Sequence, residues 1–377
     1  MTKTELKKLV LKNIDKHAKL LYDLADYIHE NPELGESEEK AAAYIKQVLH
    51  DHGFTVSAVL PEKFSTAFKG TKGTGKKKIG FLAEYDALPE IGHGCGHNLI
   101  AMMSVGAALA VAEEAGELAT VHLFGCPAEE TIGGKIYMAE AGLFDGLDAA
   151  LIVHPGDETA IGGTAYATHP LEITFLGKSA HVADPDYHGI NALDALVDFY
   201  TRFKALETEF TEPHIIGAII TEGGTAANVI PDRATVRTTV RALRVQYLEE
   251  NMLPNIRMLA ETVAKEHGAE VKMNHYEPLF KDMVNDPRLD VYFSENFNDL
   301  SEAFSIKADN YASGSTDVGN VSYLTRTSQP EIAIGRNIPG HTAAFAKAAG
   351  SNYGKMQGLI GAKAMAMTAI DVLFEKE

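Results

Sequence analysis

Apolar residues recur at helical spacing along the first fifty residues of the chain. The repeat runs from Leu6 to Ile28 and again from Ala41 to Leu49, and the turn-forming segment 31–35 lies between the two runs. Spacings of three and four residues place apolar side chains on one face of a helix. The pattern therefore predicts amphipathic helices separated by a turn that contains Pro and Gly.

Short apolar strands then alternate with helices. Strands are predicted at 78–83, 119–124 and 149–153, and helices at about 98–116 and 131–141. Strands that alternate with helices along the chain are typical of a largely parallel α/β sheet.

The pattern changes near residue 169, where strands begin to outnumber helices. Their order is β-α-β-β-α-β, a ferredoxin-like arrangement. The predicted elements are strands at 171–175, 215–221, 234–242 and 270–275, and helices from 192 and over about 247–266.

The α/β pattern returns after about residue 284 and ends in a helix over 350–374. We therefore predict one discontinuous α/β domain interrupted by a smaller one. The predicted divisions are 1–168 for the first segment, 169–283 for the inserted domain and 284–377 for the second segment.

Charge excludes two classes of partner. The 377 residues, enough for one to three domains, include 34 Lys and Arg against 52 Asp and Glu, a formal charge of −18. Nucleic acids and anionic membrane surfaces are bound by clustered cations, so neither is an expected partner.

Other features of the sequence predict a soluble cytoplasmic protein. The two cysteines, Cys95 and Cys126, exclude a disulfide scaffold and suit a reducing compartment. The opening residues lack the pattern of a signal peptide. The longest run without charge or His, 98–112, is too short to span a bilayer and predicts a buried helix.

Candidate ligands for a metal follow several predicted strands. In open α/β sheets, ligands bind beyond the carboxyl ends of strands, so these side chains are expected to meet at one edge. Each of these segments, taken alone, could have a purely structural role. A Glu pair at a helix start can interact with the helix dipole, and a histidine can simply be hydrogen-bonded. The candidates are Glu84, Asp86, His93, Cys95, His97, Glu129, Glu130, His154 and His341.

The segment 93–97, His-Gly-Cys-Gly-His, is the most specific of these signals. Its coordinating side chains alternate with Gly, and Cys95 precedes a predicted helix whose N-terminus favours a thiolate. The alternative is a buried cysteine flanked by hydrogen-bonded histidines. Thiolate, imidazole and carboxylate ligands suit Zn²⁺, and also Mn²⁺ or Co²⁺. Their number exceeds the need of one tetrahedral ion and suggests two ions about 3.5–4 Å apart.

The motifs together resemble the M20 metallopeptidases, and most closely their amidohydrolase/aminoacylase subfamily. The resemblance runs from about residue 25 to the C-terminus and implies a Zn-peptidase-like, mostly parallel sheet domain with an inserted ferredoxin-like α+β lid domain. It rests on segments 29–35, 86–89, 94–98, 127–130, 223–232 and 341–342.

The resemblance implies a role for each matching residue. Glu129 corresponds to the general base, and Asp86 to a carboxylate that orients a ligand. His181 corresponds to a lid histidine that reaches the partner subunit's active site, while Asn228 and Arg241 match positions near the substrate. A purely structural role, as an ordinary loop, turn or strand residue, stays open for Asp86, His181, Asn228 and Arg241. The implied metal ligands are Cys95, His97, Glu130, His154 and His341.

Two departures from the family pattern favour one side of the subfamily. Asn98 stands where many members have Asp, and the segment 315–319 stands where many have Glu-Asp-Phe. Both variants resemble aminobenzoyl-glutamate hydrolases and dipeptidase-like members, rather than hippurate or auxin-conjugate hydrolases.

The predicted function is metal-dependent hydrolysis of amide bonds in N-acyl amino acids or dipeptides, in the manner of an aminoacylase or exopeptidase. A metal-bound water would attack the carbonyl while Glu129 takes its proton. The protein is predicted to be a homodimer formed through the lid domain, or a higher homo-oligomer. Two alternatives stay open, an endo-acting oligopeptidase of the same fold and a catalytically silent, metal-stabilised binding protein.

The remaining histidines have no comparable context, and we interpret them as surface or packing residues. They are His17, His50, His52, His122, His169, His188, His214, His267 and His275.

Overall fold

The computed structural model describes residues 1–183 and 188–376. The described chain divides into two compact units. The first unit holds Met1–Thr164, Met283–Tyr311 and the chain from Asp317 onward, and the second holds Ala165–Asp282 with Ala312–Thr316.

Helices of the first unit begin with a well-capped α1. The Thr2 side chain accepts from the Glu5 N–H, and the Glu5 carboxylate accepts from the Thr2 N–H. The predicted helix over 6–28 is in fact two helices that meet at His17. The helices are α1 Lys3–Lys16, α2 Ala18–Glu30, α3 Glu39–Asp51, α4 His97–Ala115, α5 Gly134–Glu140, α9 Pro287–Asp299, α10 Val318–Ser322, α11 Ala343–Ala349 and α12 Asn352–Leu373.

The strands of the first unit form two sheets. Both sheets contribute residues to the candidate metal centre. Their strands are β1 Thr55–Ala58, β2 Phe68–Gly73, β3 Lys77–Glu84, β4 Ala119–Cys126, β5 Ala149–Leu151, β6 His154–Gly156, β7 Ala160–Thr164, β12 Ser305–Ala312, β13 Thr327–Ser328 and β14 Glu331–Ala333.

The larger sheet has the described strand order β1-β2-β4-β3-β5-β13. The pairs β4–β3, β3–β5 and β5–β13 are parallel, whereas β1–β2 and β2–β4 are antiparallel. The predicted α/β class with a mostly parallel sheet is confirmed, since three of the five strand pairs are parallel and the two antiparallel pairs lie at the β1 edge. The smaller sheet, β12-β7-β14-β6, was not predicted.

Helix α4 is apolar over most of its length because nearly all of it is buried, up to the two glutamates near its C-terminus. It is long and apolar enough to cross a membrane by composition, yet 89% of its most apolar window is buried inside the protein. At Gly106 an added Cβ would lie 2.8 Å from Leu21 and 3.4 Å from Ala362. Small residues therefore let α2 and α12 approach α4 closely, and the predicted buried helix is confirmed.

The second unit follows the predicted β-α-β-β-α-β order. The elements are β8 Ala167–Leu176, α6 Ala192–Glu207, β9 His214–Glu222, β10 Arg233–Ala242, α7 Val245–Tyr247, a π-helical turn Leu248–Met252, α8 Leu253–Glu266 and β11 Glu270–His275. The described strands form an antiparallel sheet in the order β11-β8-β10-β9, with Ile173 and Phe175 packed against Phe199 and Phe203.

Candidate metal centre

The centre forms where β3 and β4 end side by side. The two strands are parallel, and their register pairs Glu84 with Cys126 at the carboxyl end. The chain continues from β3 to Asp86 and from β4 to Glu129 and Glu130. Parallel pairing therefore brings two acidic loops together that lie more than forty residues apart in the sequence.

Asp86 connects the two loops to the first residue of α4. Its Oδ1 accepts from His97 Nδ1 at 2.8 Å, and its Oδ2 accepts from the Glu130 backbone N–H at 2.9 Å. The bond to Nδ1 fixes the histidine with its Nε2 atom directed away from Asp86. A carboxylate behind a histidine in this way orients the free nitrogen toward a metal and strengthens it as a ligand.

Candidate ligands crowd the space in front of His97. His97 Nε2 lies 3.8 Å from Glu130 Oε1 and 3.9 Å from Glu129 Oε2. Cys95 Sγ lies 3.5 Å from His154 Nε2, and His341 Nε2 lies 3.4 Å from Glu130 Oε1. The side chains form three overlapping groups, and within each group the ligand atoms all lie within 4.8 Å of one another. The groups are Cys95, His97 and His154; Cys95, Glu130 and His341; and His97, Glu129 and Glu130.

The donor set fits divalent metal ions. His97 Nε2 and Glu130 Oε1 are buried and have no hydrogen-bond partner within the described residues. Buried polar atoms without a partner are costly, so an unfilled acceptor pair facing one space indicates a cation. His154 Nδ1 is occupied by the Pro155 carbonyl at 2.7 Å, which leaves its Nε2 free to coordinate.

Cys95 does not behave as the helix position alone predicts. The N-terminus of α4 is expected to favour a thiolate, but burial raises the pKa of the Cys95 thiol. The cost of removing a thiolate from water outweighs the favourable helix field. The nearby carboxylates add to this cost because they repel another negative charge. A thiolate at this position therefore requires a nearby cation, which is consistent with a role as metal ligand.

The two adjacent glutamates differ in their electrostatic environments. Burial, together with the carboxylates of Glu84 and Glu130, raises the pKa of Glu129 well above its usual range. Burial also opposes the ionisation of Glu130, but the nearby imidazoles of His341 and His97 lower its pKa to about 2. Neighbouring carboxyl groups with separated pKa values are typical of a proton-transfer group beside a permanently charged one.

The sequence predicted that all the candidate ligands lie at one sheet edge. In the structure they come from more than one element. His154 begins β6, which pairs with β14 in the smaller sheet, because the chain leaves the larger sheet at 152–153. His341 lies in the loop before α11 with φ of 60°, and its backbone N–H donates to Gly94. Two sheets and a tertiary loop contact thus supply the ligands.

A buried ion network beneath the centre was missed by sequence reasoning. Lys135, on α5, is fully buried, and its Nζ contacts Glu84 Oε1 at 2.7 Å and Asp317 Oδ1 at 2.5 Å. The other oxygen of Glu84 lies 3.4 Å from His97 Nε2. Burial opposes the charge of Lys135, but both carboxylates raise its pKa well above the usual range. A single lysine without a motif gives no sequence signal for such a role.

Glu38 supports the loop that carries the two glutamates. Its carboxylate accepts from the Ala128 N–H at 2.7 Å and from the Thr66 hydroxyl at 3.0 Å. Ala128 adopts a φ of 61°, which is unusual for a residue with a side chain. Burial and the Asp86 carboxylate raise the pKa of Glu38 to about 7.

His93 and Asn98 point away from the candidate ligands. His93 Nε2 bonds to the Ile28 carbonyl at 3.0 Å, and burial lowers its pKa to about 3. The Asn98 amide donates to the Ala349 carbonyl at 3.1 Å. His93 thus joins the loop before α4 to α2, and Asn98 joins α4 to α11.

The remaining predicted residues lie in the second unit. His181 and Asn228 are neighbours, with His181 Nε2 3.5 Å from Asn228 Nδ2, and both are exposed. Arg241 lies on β10, where its guanidinium donates to Ser315 at 3.3 Å. The structure brings the first two together and gives Arg241 a separate hydrogen-bond partner.

Comparison with known proteins identifies the family. The peptidase dimerisation domain of M20 enzymes matches residues 170–270. A Bacillus subtilis dinuclear metal binding peptidase from the M20 family has the same fold, with a TM-score of 0.71 and 22% identity over 95% of this chain and 99% of that one. A Xaa-Arg dipeptidase of Mus musculus is 33% identical over 98% of this chain and 89% of its own length. The chain belongs to the M20 peptidase family.

Other M20-type relatives agree with this assignment. One of the subunits of the p-aminobenzoyl-glutamate hydrolase of Escherichia coli is 35% identical over 58% of this chain and 50% of its own length. The predicted family, the α/β fold with its inserted antiparallel domain, and the assignment as an enzyme are thereby confirmed. As an M20 peptidase or amidohydrolase, the protein hydrolyses amide bonds.

Proposed function

We propose that this M20 enzyme is a two-metal, exo-acting hydrolase of dipeptides or N-acyl amino acids. The observation that carries the proposal is the convergence of Cys95, His154 and His341 on the unpartnered atoms of His97 and Glu130. The similarity to a Xaa-Arg dipeptidase and to an aminobenzoyl-glutamate hydrolase supports this substrate class.

The five ligand residues would hold two divalent ions. Zn²⁺ and Mn²⁺ suit a mixed sulfur, nitrogen and oxygen set, and Co²⁺ is a third choice. When bound, such ions supply Lewis acidity to the amide carbonyl and lower the pKa of the attacking water. Asp86 holds His97 in place, and Lys135 holds Glu84 behind it.

Glu129 is the group we assign to proton transfer. Its carboxylate takes a proton from water as the water oxygen bonds to the carbonyl carbon. The same proton then passes to the amide nitrogen as the C–N bond breaks, which releases a carboxylic acid and an amine. Its position 3.9 Å from His97 Nε2 places this carboxylate beside the ligand set, within reach of the attacking water.

Metal removal tests this proposal. We expect metal-stripped protein to lose activity and to recover it with Zn²⁺, Mn²⁺ or Co²⁺, as measured on dipeptides, N-acyl amino acids and aminobenzoyl-glutamate. A dipeptide blocked at both ends should not be cleaved. Cleavage of that blocked substrate would instead establish an endopeptidase, and full activity without metal would contradict the two-metal centre.

We further propose that the protein is a homodimer in which His181 completes the partner's active site. The matched dimerisation domain and the exposure of His181 and Asn228 support this arrangement. Mixing His181→Ala chains with Glu129→Gln chains should restore one complete site per mixed dimer, or about a quarter of wild-type activity after random exchange. Activity no higher than the sum of the two parents would contradict the shared site.

A further inference from the structure

We propose that His17, His52 and Glu113 form an additional divalent-ion site of the zinc class in the first unit. Glu113 lies sixteen residues after His97 on α4. At a rise of 1.5 Å per residue, the two positions are about 24 Å apart along the helix. The site is therefore separate from the candidate metal centre and independent of its chemistry.

Three elements supply the ligands. His17 lies at the junction of α1 and α2, His52 caps the end of α3, and Glu113 lies in the last turns of α4. One ligand atom from each lies within 4.8 Å of the other two. The sequence gives no sign of this grouping, since each histidine on its own is interpreted as a surface or packing residue.

The separations match those of ligands on one ion. His52 Nδ1 lies 3.0 Å from Glu113 Oε1, and His17 Nε2 lies 3.5 Å from Glu113 Oε2. Zinc bonds of about 2.0–2.1 Å at tetrahedral angles place neighbouring ligand atoms about 3.3 Å apart. The two imidazole rings are nearly perpendicular, with an interplanar angle of 81° and centroids 4.9 Å apart.

His17 gives independent evidence that the cluster is incomplete. Its Nε2 is buried and has no hydrogen-bond partner within the described residues, although it faces the Glu113 carboxylate. The 3.5 Å separation between this nitrogen and Glu113 Oε2 is longer than an ordinary N–H···O hydrogen bond of about 2.7–3.2 Å, so the pair leaves room for a bridging cation. A metal ion between the nitrogen and the carboxylate would satisfy both.

A buried asparagine holds the carboxylate in place. Asn13 is only 5% exposed, and its amide nitrogen donates to Glu113 and to Glu114 at 2.9 Å each. This arrangement keeps two carboxylates adjacent and preorganises Glu113 as a ligand. Within the described residues, no lysine or arginine lies within 4 Å of the Glu113 carboxylate, and the nearby Lys72 instead donates to the His52 carbonyl.

The ligand types select the ion. Two imidazoles and a carboxylate suit Zn²⁺, whereas Mg²⁺ and Ca²⁺ prefer oxygen ligands throughout. Three protein ligands leave one coordination position for water. Bound metal would tie α1, α2, α3 and α4 together, which gives the site a structural role in the helical layer.

Metal counting tests the site. Metal-stripped protein is dialysed against Zn²⁺ and the bound metal per chain is measured by mass spectrometry. We expect the His17→Gln/His52→Gln double variant to bind one equivalent less than wild type. The matched control is His50→Gln, since His50 is exposed and outside the cluster. This control should bind as much zinc as wild type.

The variant Glu113→Gln is a second test of the site, because it removes the carboxylate and keeps both histidines. Circular dichroism establishes which variants are folded, and the loss of one equivalent in a folded variant supports the site. Zinc content equal to wild type in either folded variant overturns it. Equal loss in His50→Gln also overturns it, because that result would indicate nonspecific binding to surface histidines.

Discussion

Replacing Glu129 with Gln is expected to lower kcat by about 10²–10⁴-fold without removing the metals. Glutamine preserves the shape of the side chain but cannot accept a proton, and general base catalysis typically contributes a factor of this size. Glu129 lies 3.9 Å from His97 Nε2, close to the candidate ligands, where its carboxylate can take a proton from the attacking water. Steady-state kinetics and metal content per chain together test this expectation.

Glu130→Gln is the matched comparison for that variant. Glu130 is adjacent in sequence, but it contacts His341 at 3.4 Å and has a pKa of about 2, as expected for a permanently charged ligand. Its replacement should reduce metal content as well as activity. If Glu129→Gln kept wild-type turnover with its metals in place, the assignment of Glu129 as the base would be wrong.

Replacing Lys135 with Met is expected to destabilise the protein by about 3–5 kcal/mol. The substitution leaves the carboxylates of Glu84 and Asp317 buried without their shared cation, and burying an uncompensated charge is costly. Urea unfolding near neutral pH measures the change in the free energy of unfolding.

Lys77→Met is the control for the loss of a surface ion pair. Lys77 contacts Asp148 at 3.0 Å, with both side chains more than a quarter exposed, so its loss should cost no more than about 1 kcal/mol. The triple variant Lys135→Met/Glu84→Gln/Asp317→Asn removes the buried charges together and should recover part of the lost stability. A Lys135→Met protein as stable as Lys77→Met would contradict the importance of the buried network.

The network also gives a structural role to Asp317, in one of the segments that depart from the family pattern. Asp317 lies in the segment where many subfamily members have Glu-Asp-Phe. Its carboxylate accepts hydrogen bonds from both the side chain and the backbone N–H of Lys135. Asn98, the other departure, donates to Ala349 from within the core. Asp317 and Asn98 therefore both have defined structural partners.

Local sequence signals predicted many of the elements and motifs. Alternating and helical apolar spacing depends on neighbours along the chain, so β3, α4, β4 and the six main elements of the inserted domain were predicted near their observed positions. The junction at His17 was not predicted, since apolar periodicity continues across it. The smaller sheet was also missed because its strands are short and pair across distant segments.

By itself, the sequence determined the fold class, the family resemblance and the types of side chain available for chemistry. Only the tertiary structure placed His154 from one sheet beside Cys95, and His341 from a loop beside Glu130. Only it buried Lys135 between Glu84 and Asp317. The reason is physical. Helices and strands follow from the spacing of neighbouring residues, whereas charge pairing, burial and pKa depend on distances between residues that the sequence separates by tens to hundreds of positions.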